Sequence, residues 1–455
     1  MRHSGSDKLL DQVLSETIPM YGRMIHGVSS SGSLTEEAQA YDVHGKHINA
    51  VDRANLNKLL LDELDELPNV KLHFNHRLTG ADFRKRKAWF EKTSPRSAQT
   101  ADGAQEQQNQ GSPASRPKEV EVDFDLILGC DGAHSNVRHH LMKYVRMDYE
   151  QSYIDTIWCE FTIPPTTNLP LDARTESARD GFATSPNHLH IWPGTDKMFI
   201  AIPSIDKSFT CTLFAPDADF KGMEQQPSLV EPFFQKHFPG AADLIKSGEL
   251  QKQFEQNPHL PLISIKCSPY HFGSSGVILG DAAHAMVPFY GQGMNAGLED
   301  VRVLFCHLDD QPATAVGRQT ALDFYSKERV ADAHTINDLA LGNYWEMHAG
   351  VTSPVYLFRK TAEEFLSDKL PSTGFKTQYS RVSFSNQRYS EVKDVVARQS
   401  KILIGGMLST VLVPALTWAA WWGWRYKNLT KTEVAGTWSL INIGLFSEKF
   451  TRWFK

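Results

Sequence analysis

At 455 residues the chain has the length of about three domains of roughly 150 residues each. Its 47 basic against 53 acidic side chains give a formal net charge of −6, which offers no global attraction to nucleic acid, and a hydrophobic share of 41% excludes wholesale disorder. Five widely spaced cysteines (Cys130, Cys159, Cys211, Cys267 and Cys306) with no CxxC pair fit a reducing compartment and argue against a disulfide framework or a zinc site.

In chain order, the first residues carry no apolar core of the kind a secretory signal requires. Two short strand-like runs, 88–90 and 120–124, flank the Gln/Ser/Ala/Gly-rich stretch 93–117. That stretch has too few apolar residues to order itself, and it reads as an overgrown hairpin loop inside a domain. Residues 125–132, an apolar run ending in Gly129-Cys130-Asp131-Gly132, predict a buried parallel strand followed by a turn, and 276–281 predict a second. Between them, 188–192, 198–202 and 209–214 read as successive strands joined by turns. A β-rich domain is therefore expected inside an α/β nucleotide-binding domain. The polar stretch 217–228 reads as a linker, a helix is expected from about Asn295, and 320–400 reads as helices.

Near the end, 402–424 is a run of 23 residues without a charge. As a helix it is long enough for a hydrocarbon core of about 30 Å. Arg398 and Lys401 precede it, Arg425 and Lys427 follow it, and Trp418, Trp421, Trp422 and Trp424 crowd toward one end, as in an interfacial aromatic belt. This predicts a membrane span, with orientation left open by the basic residues on both sides.

The densest chemical signal is Gly280-Asp281-Ala282-Ala283-His284, then Pro288, then Gly291-Gln292-Gly293-Met294-Asn295. An acid at the end of a buried parallel strand faces the crevice where α/β sheets bind nucleotides and accepts hydrogen bonds from sugar hydroxyls. The glycines admit a flat ligand close to the backbone, and the following helix aims its amides and dipole at it. His284 has no second His or Cys at ligand spacing, so no metal is expected.

With Asp131-Gly132 ahead of Ser135-Asn136-Val137-Arg138, this string resembles the internal fingerprints of the FAD-dependent aromatic hydroxylases. Further runs resemble the branch that acts on kynurenine: 21–27 around Arg23, 55–58, 74–78, 189–193, 207–214 around Phe209, and 291–295. The resemblance spans 10–389 and implies FAD as cofactor, NADPH as co-substrate, dioxygen, and L-kynurenine as substrate. It also implies the mitochondrial outer membrane as location. Kynurenine is an aniline whose own amine activates the ring, so no catalytic general base is expected; the protein's tasks are positioning, electrostatics and water exclusion.

The same resemblance assigns residues. Arg23 is the expected clamp on the amino-acid carboxylate, with Tyr41 as second contact and with Asn343 and Tyr389 reaching in from the C-terminal helices. Phe214, Phe289 and Tyr290 are expected to wall the aromatic pocket. For the cofactor, Asp281 is the ribityl contact, Pro288, Gly293, Met294 and Asn295 border the flavin, Arg53 matches an FAD contact, Asp131 organises the pyrophosphate region through backbone contacts, and Arg138 attracts the phosphates of FAD or NADPH. Relatives open with a strand and a GxGxxG turn, and none precedes Tyr21, so the sheet is expected to lack its first strand.

The expected organisation is a first part of the FAD-binding domain over 1–150, a β-rich substrate domain over 151–265, and a second FAD-binding part over 266–310. C-terminal helices over 311–400 and a membrane helix with its tail over 401–455 complete it. Two alternatives stay open: a flavin hydroxylase of another aromatic acid, or a truncated membrane protein without activity.

Overall fold

The structure is a computed structural model that describes residues 6–93, 119–168, 174–246, 248–345 and 354–427, with the backbone alone at 168, 345, 354–360, 371, 404, 406–413 and 423–427. It divides into two units, 1–394 and 395–455. The expected loop of 93–117 lies, after Thr93, outside the described residues.

Helix α1 (Asp7–Ser15), capped by Ser6, precedes β1 (Thr17–Met20), β2 (Gly22–Val28), β3 (Leu34–Ala40) and β4 (Ile48–Val51). Helix α2 (Arg53–Asp65) starts where the Asp52 carboxylate accepts from the Asn55 amide. Then come β5 (His76–Asp82), β6 (Lys87–Lys92), β7 (Glu119–Asp123) and β8 (Ile127–Gly129), followed by α3 (Asn136–Leu141). Strands β6 and β7 pair antiparallel on either side of the polar stretch, as a hairpin requires. The long β9 (Asp148–Ile163), β10 (His188–Pro193), β11 (Met198–Pro203) and β12 (Phe209–Ala215) lead into α4 (Asp217–Gln225), α5 (Val230–His237) and α6 (Glu249–Gln256). After β13 (Leu260–Ser268), β14 (His271–Phe272) and β15 (Gly276–Ile278), the described chain is helical: α7 (Asp281–His284), α8 (Gly293–Asp309), α9 (Ala315–Trp345), α10 (Pro354–Lys369), α11 (Gln378–Phe384) and α12 (Tyr389–Lys427).

A seven-stranded sheet runs in the order β13-β9-β12-β11-β10-β2-β3, antiparallel except where β10 meets β2. Strands β2 and β3 thus come from before residue 150, and the sheet draws on both sides of that expected boundary. Alternate side chains of β9, β11 and β12 bury one face against α4, α5 and α6, where Phe161, Phe199, Phe234 and Phe238 meet edge-on. Each such buried ring contributes roughly 1.5–3 kcal/mol of transfer free energy. The stretch 217–228 is not the expected linker. Its first part is α4, because Phe220 and Met223, three apart on one helical face, both insert into this core while Asp217 and Asp219 favour the first turn.

The two predicted parallel strands pair with each other, Gly276 opposite Ile127 through Ile278 opposite Gly129. Together with β14 they make the second sheet, covered by α3, α8 and α9. No strand lies along the outer edge of β8 among the described residues, and Leu128 is 45% exposed there. A cavity of about 470 Å³ flanks that edge, lined by Phe90, Leu128, Asp131 and Val137 among others.

The uncharged run 402–424 lies within the continuous helix α12, around Pro414. Among the described residues no helix is long and apolar enough to cross a membrane, so the expected span is not part of the described fold.

A buried polar chain crosses the larger sheet. His190 Nε2–H donates to the Ser185 carbonyl at 2.7 Å, so its Nδ1 accepts from His26 Nε2–H at 2.8 Å, and His26 Nδ1 faces Glu36 at 3.8 Å. Although the ligand-type atoms of the three residues lie within 4.8 Å of one another, these tautomers already use the two imidazoles on each other. Burial pushes the imidazoles down, His26 to about 4 and His190 to about 3. Both stay neutral in the fold but titrate near 6.5 when unfolded, so the unfolded chain gains protons first as the pH falls. Stability is therefore expected to be flat above pH 7 and to drop from pH 6.5 toward pH 4 by up to about 1.4 kcal/mol per pH unit for each imidazole. Urea midpoints at pH 7.5 and 5 measure it. His26→Gln, which keeps a donor for His190, should remove the His26 share of the drop, to which the other lowered imidazoles of His140, His188, His237, His271 and His334 also contribute; an unaltered drop would refute the assignment.

Candidate functional site

Local backbone needs explain the loop after β15. Gly280 has φ +56° and ψ −140°, a conformation that side chains disfavour, and its amide donates to the Asp300 carboxylate at 2.8 Å. The chain thereby turns sharply and presents Asp281. Partial loss of hydration, opposed by the charges of His284 and Arg53, holds the Asp281 carboxyl above its usual range, although the residue keeps access to solvent. Arg53, at the start of α2, is thus within electrostatic reach of Asp281. Pro288–Tyr290 form one 3-10 turn, Gly291 continues at φ +69°, and α8 starts at Gly293.

Pro288, Gly291, Met294 and Asn295 all remain exposed beside Asp281. The amides of the first turn of α8, a helix of 17 residues, have no intrahelical acceptor and carry the positive end of its dipole. A Cβ placed on Gly291 meets nothing within 4 Å, so the backbone there borders open space. A carboxylate for sugar hydroxyls, amides for ring carbonyls and bare backbone for a flat ring fit FAD by their donors, acceptors and shape.

Arg23 is held on β2, beside Tyr41. Its guanidinium carbon lies 5.7 Å from the Tyr41 ring centroid and 5.1 Å from that of Tyr379 on α11. No carboxylate pairs with Arg23 among the described residues, its buried Nε has no hydrogen-bond partner, and the buried Tyr41 hydroxyl faces the Arg23 guanidinium and Tyr379. Burial pushes the Tyr41 hydroxyl well up, so it remains a proton donor. A half-buried cation without an acid, beside a buried phenol hydroxyl, is a site for an anion.

Phe289 packs against Phe214 at 5.0 Å and against Tyr344 at 4.7 Å, and Asn343 Nδ2 donates to the Phe289 carbonyl at 2.7 Å. The neighbouring Tyr290 stacks on Tyr379 at 5.9 Å. The turn at 288–290 therefore joins the aromatic wall to the Arg23 corner. Tyr389 donates to Gln292 Oε1 at 3.3 Å, one residue before α8, and burial pushes its own hydroxyl up to about 12. The structure thus brings together Arg23, Tyr41, Phe214, Phe289, Tyr290 and Asn343, and sets Tyr389 against the start of α8.

Two expected cofactor residues make contacts to the backbone. Asp131 accepts from the Val137 amide at 3.0 Å and from the Ser135 hydroxyl, closing the start of α3. Arg138 is buried, with its guanidinium donating to the carbonyls of Ala282 (2.7 Å) and Ala133 (2.6 Å). It therefore braces the Asp281 turn through the Ala282 carbonyl.

Three important residues were absent from the expectations. Tyr379 comes from far along the chain, and Asp300 and Arg329 form a buried pair at 2.7 Å behind the Gly280 turn. The one signal for Asp300 was its place eight residues into an otherwise apolar face of α8, where a charge needs a partner.

Residues 8–340 match the model of a family described as an FAD binding domain. The chain is 54% identical over 442 residues to kynurenine 3-monooxygenase of Neurospora crassa, covering 94% of this chain and 82% of that protein. It is 58% identical over 418 residues to kynurenine 3-monooxygenase of Chaetomium globosum, covering 90% and 84% respectively. Among solved structures it is similar to the tetrameric form of 2-methyl-3-hydroxypyridine-5-carboxylic acid oxygenase, with a TM-score of 0.53 at 17% identity over 77% of this chain and 80% of that one. At such identity the likeness concerns the fold.

Proposed function

The chain belongs to the kynurenine 3-monooxygenases of the FAD-binding hydroxylases, and from that premise we propose that it hydroxylates L-kynurenine to 3-hydroxykynurenine. NADPH supplies two electrons and dioxygen both oxygen atoms, one ending in the new hydroxyl and the other in water. Bound FAD supplies the redox chemistry that links the two.

The chain's own residues bind and orient. The Arg23 guanidinium takes the carboxylate, and the Tyr41 hydroxyl adds a donor. Phe214 and Phe289 flank the anilino ring, and Asn343, through the Phe289 carbonyl, fixes that wall. Asp281 and the first turn of α8 would hold the FAD, Asp281 as an acceptor for its sugar hydroxyls and the helix start as a source of positive potential. No side chain has to deprotonate the substrate, since the aniline nitrogen already enriches its ring.

The observation that carries this reading is the half-buried, acid-free guanidinium of Arg23, its Nε shut off from water without a partner, beside the buried Tyr41 hydroxyl. Membrane attachment through 402–424 belongs to the same proposal. It is supported by the uncharged run and its basic flanks, and by Leu416, Trp418 and Trp422 standing exposed on α12. Placement on the mitochondrial outer membrane rests on the family resemblance. One experiment tests the whole: FAD-supplemented membrane and supernatant fractions of cells expressing the chain are given NADPH with L-kynurenine or with anthranilate, which lacks the amino-acid tail. Oxygenated product is expected from L-kynurenine alone, in the sedimented fraction. Product from anthranilate but not L-kynurenine would overturn the substrate, and activity confined to the supernatant would overturn the attachment.

A further inference from the structure

The aromatic wall of the substrate corner is anchored from behind by a buried hydroxyl pair. Tyr344, in the last turn of α9, has its ring 4.7 Å from that of Phe289, and Phe289 lies 5.0 Å from Phe214. The Tyr344 hydroxyl meets Thr156 Oγ1 at 2.8 Å, and Thr156, on β9, is only 1% exposed. Strand β9 pairs with β12, Trp158 opposite Phe214. Both rings of the wall are therefore set by one sheet, Phe214 as a member of β12 and Phe289 through Tyr344.

Helix α9 has a second tie to the same sheet. Asn337, fully buried and two turns before Tyr344 on the same helical face, accepts from the Ser264 hydroxyl of β13 at 2.7 Å. It also donates to the carbonyls of Ile265 and Ala285 at 3.0 and 2.9 Å. That tie seats the body of the helix. The bond between Thr156 and Tyr344 acts on its end, where Asn343 holds the Phe289 carbonyl at 2.7 Å and Tyr344 packs on the Phe289 ring.

From this geometry we infer that Thr156 is a positioning residue, one that fixes the aromatic wall through Tyr344 and so aims the substrate ring. The inference rests on the proposed hydroxylation of L-kynurenine. Two arguments carry it. A hydroxyl at this depth has no water to turn to, so loss of its partner leaves it unsatisfied and drives the ring that bears it to shift. Placement of the reacting ring matters steeply, because a misplacement of about 1 Å costs on the order of a hundredfold in rate. The substrate carboxylate is gripped at Arg23, outside this set of contacts, so aim and affinity separate.

The test follows the two electrons of NADPH. With the ring well aimed they end in 3-hydroxykynurenine and water; with the ring misplaced they reduce dioxygen to hydrogen peroxide. NADPH consumed, hydroxylated product and peroxide are measured on the full FAD-loaded chain at saturating L-kynurenine, beside the dissociation constant of L-kynurenine. Thr156→Val and Tyr344→Phe each remove one hydroxyl of the pair, and Thr156→Ser keeps the bond. The readout is the share of consumed NADPH that appears as product, which a merely structural loss of folded protein would leave unmoved. Thr156→Val and Tyr344→Phe should each lower that share about fivefold, with the dissociation constant within about threefold of the parent and Thr156→Ser at the parental share. The double variant should lower it no further than either single one, because both remove the same bond. An unchanged share in Thr156→Val, losses that add in the double variant, or a Thr156→Ser variant that fails like Thr156→Val overturns the inference. So does a share that falls only in step with the affinity for L-kynurenine. A parent chain that consumes NADPH without oxygenating L-kynurenine removes the proposed reaction itself and this inference with it.

Discussion

Arg23→Met is expected to raise the dissociation constant for L-kynurenine on the order of a hundredfold or more while leaving the empty protein at least as stable as before. The first half follows from the strength of charge-assisted bonds at a desolvated site: removing one member of such a pair costs about 2–5 kcal/mol, and each 1.4 kcal/mol is about tenfold. The second half follows from the empty state. There the guanidinium has no acid beside it, and its buried Nε has no acceptor, so the fold bears an uncompensated desolvation cost that a methionine of similar reach does not. Binding sites commonly trade stability for function in this way. Substrate titration and a urea unfolding curve on the same two proteins measure the pair of effects. A variant that loses stability and affinity together would mean that Arg23 is a structural residue, and one that loses neither would place the carboxylate elsewhere.

The legible parts of this molecule are those whose signals are local. Strands β8 and β15 are apolar runs closed by glycine, and β10 to β12 are spaced by turns; both patterns need only a few consecutive residues to be read. The loop from Gly280 to Asn295 is readable for the same reason, since its glycines, its acid and its helix start fall within sixteen residues. Helix α4 was hidden because only Phe220 and Met223 mark its buried face amid polar neighbours. The partners of Asp131 and Arg138 could not be read, because sequence names a charge but not its direction. Their partners, the Val137 amide and the Ala282 carbonyl, are backbone groups with no residue-type signature. Tyr379 was illegible in principle: the residue beside it bonds to a partner 338 positions away, and no periodicity spans such a distance. What can be foreseen is the requirement. A half-buried arginine with a shielded Nε calls for a ligand, an acid or an aromatic face, and the fold supplies the third while leaving room for the first.

The largest effect on stability is expected at Asp300, where one carboxylate serves three elements at once. It is fully buried; its Oδ2 accepts from the Gly280 amide and from His284 Nε2, and its Oδ1 accepts from Arg329 Nε. Arg329, only 2% exposed, continues to Asp332 at 3.7 Å, and Asp332 in turn accepts from Arg388 at 2.9 Å and from Ser390. Burial alone would raise the Asp300 carboxyl, but the facing His284 and Arg329 outweigh it and hold the group below its usual range. Its contribution is therefore fully present above the unfolded value near 3.9 and is lost only as the pH falls below that, a window separate from that of His26 and His190. Asp300→Ala at pH 7 strands the Arg329 charge and frees the Gly280 turn, and should cost about 3–5 kcal/mol. The decisive comparison is the double replacement Asp300→Ala with Arg329→Met, which removes both charges and should regain most of that loss, because an empty pair is far cheaper than a single buried ion. Urea unfolding of the parent, the single and the double variants gives the coupling directly. Additive losses would show that Asp300 acts through packing instead. FAD titration of the same proteins separates the two tasks of this residue: the double variant should recover stability but not cofactor affinity, since the Gly280 amide that sets Asp281 still lacks its acceptor.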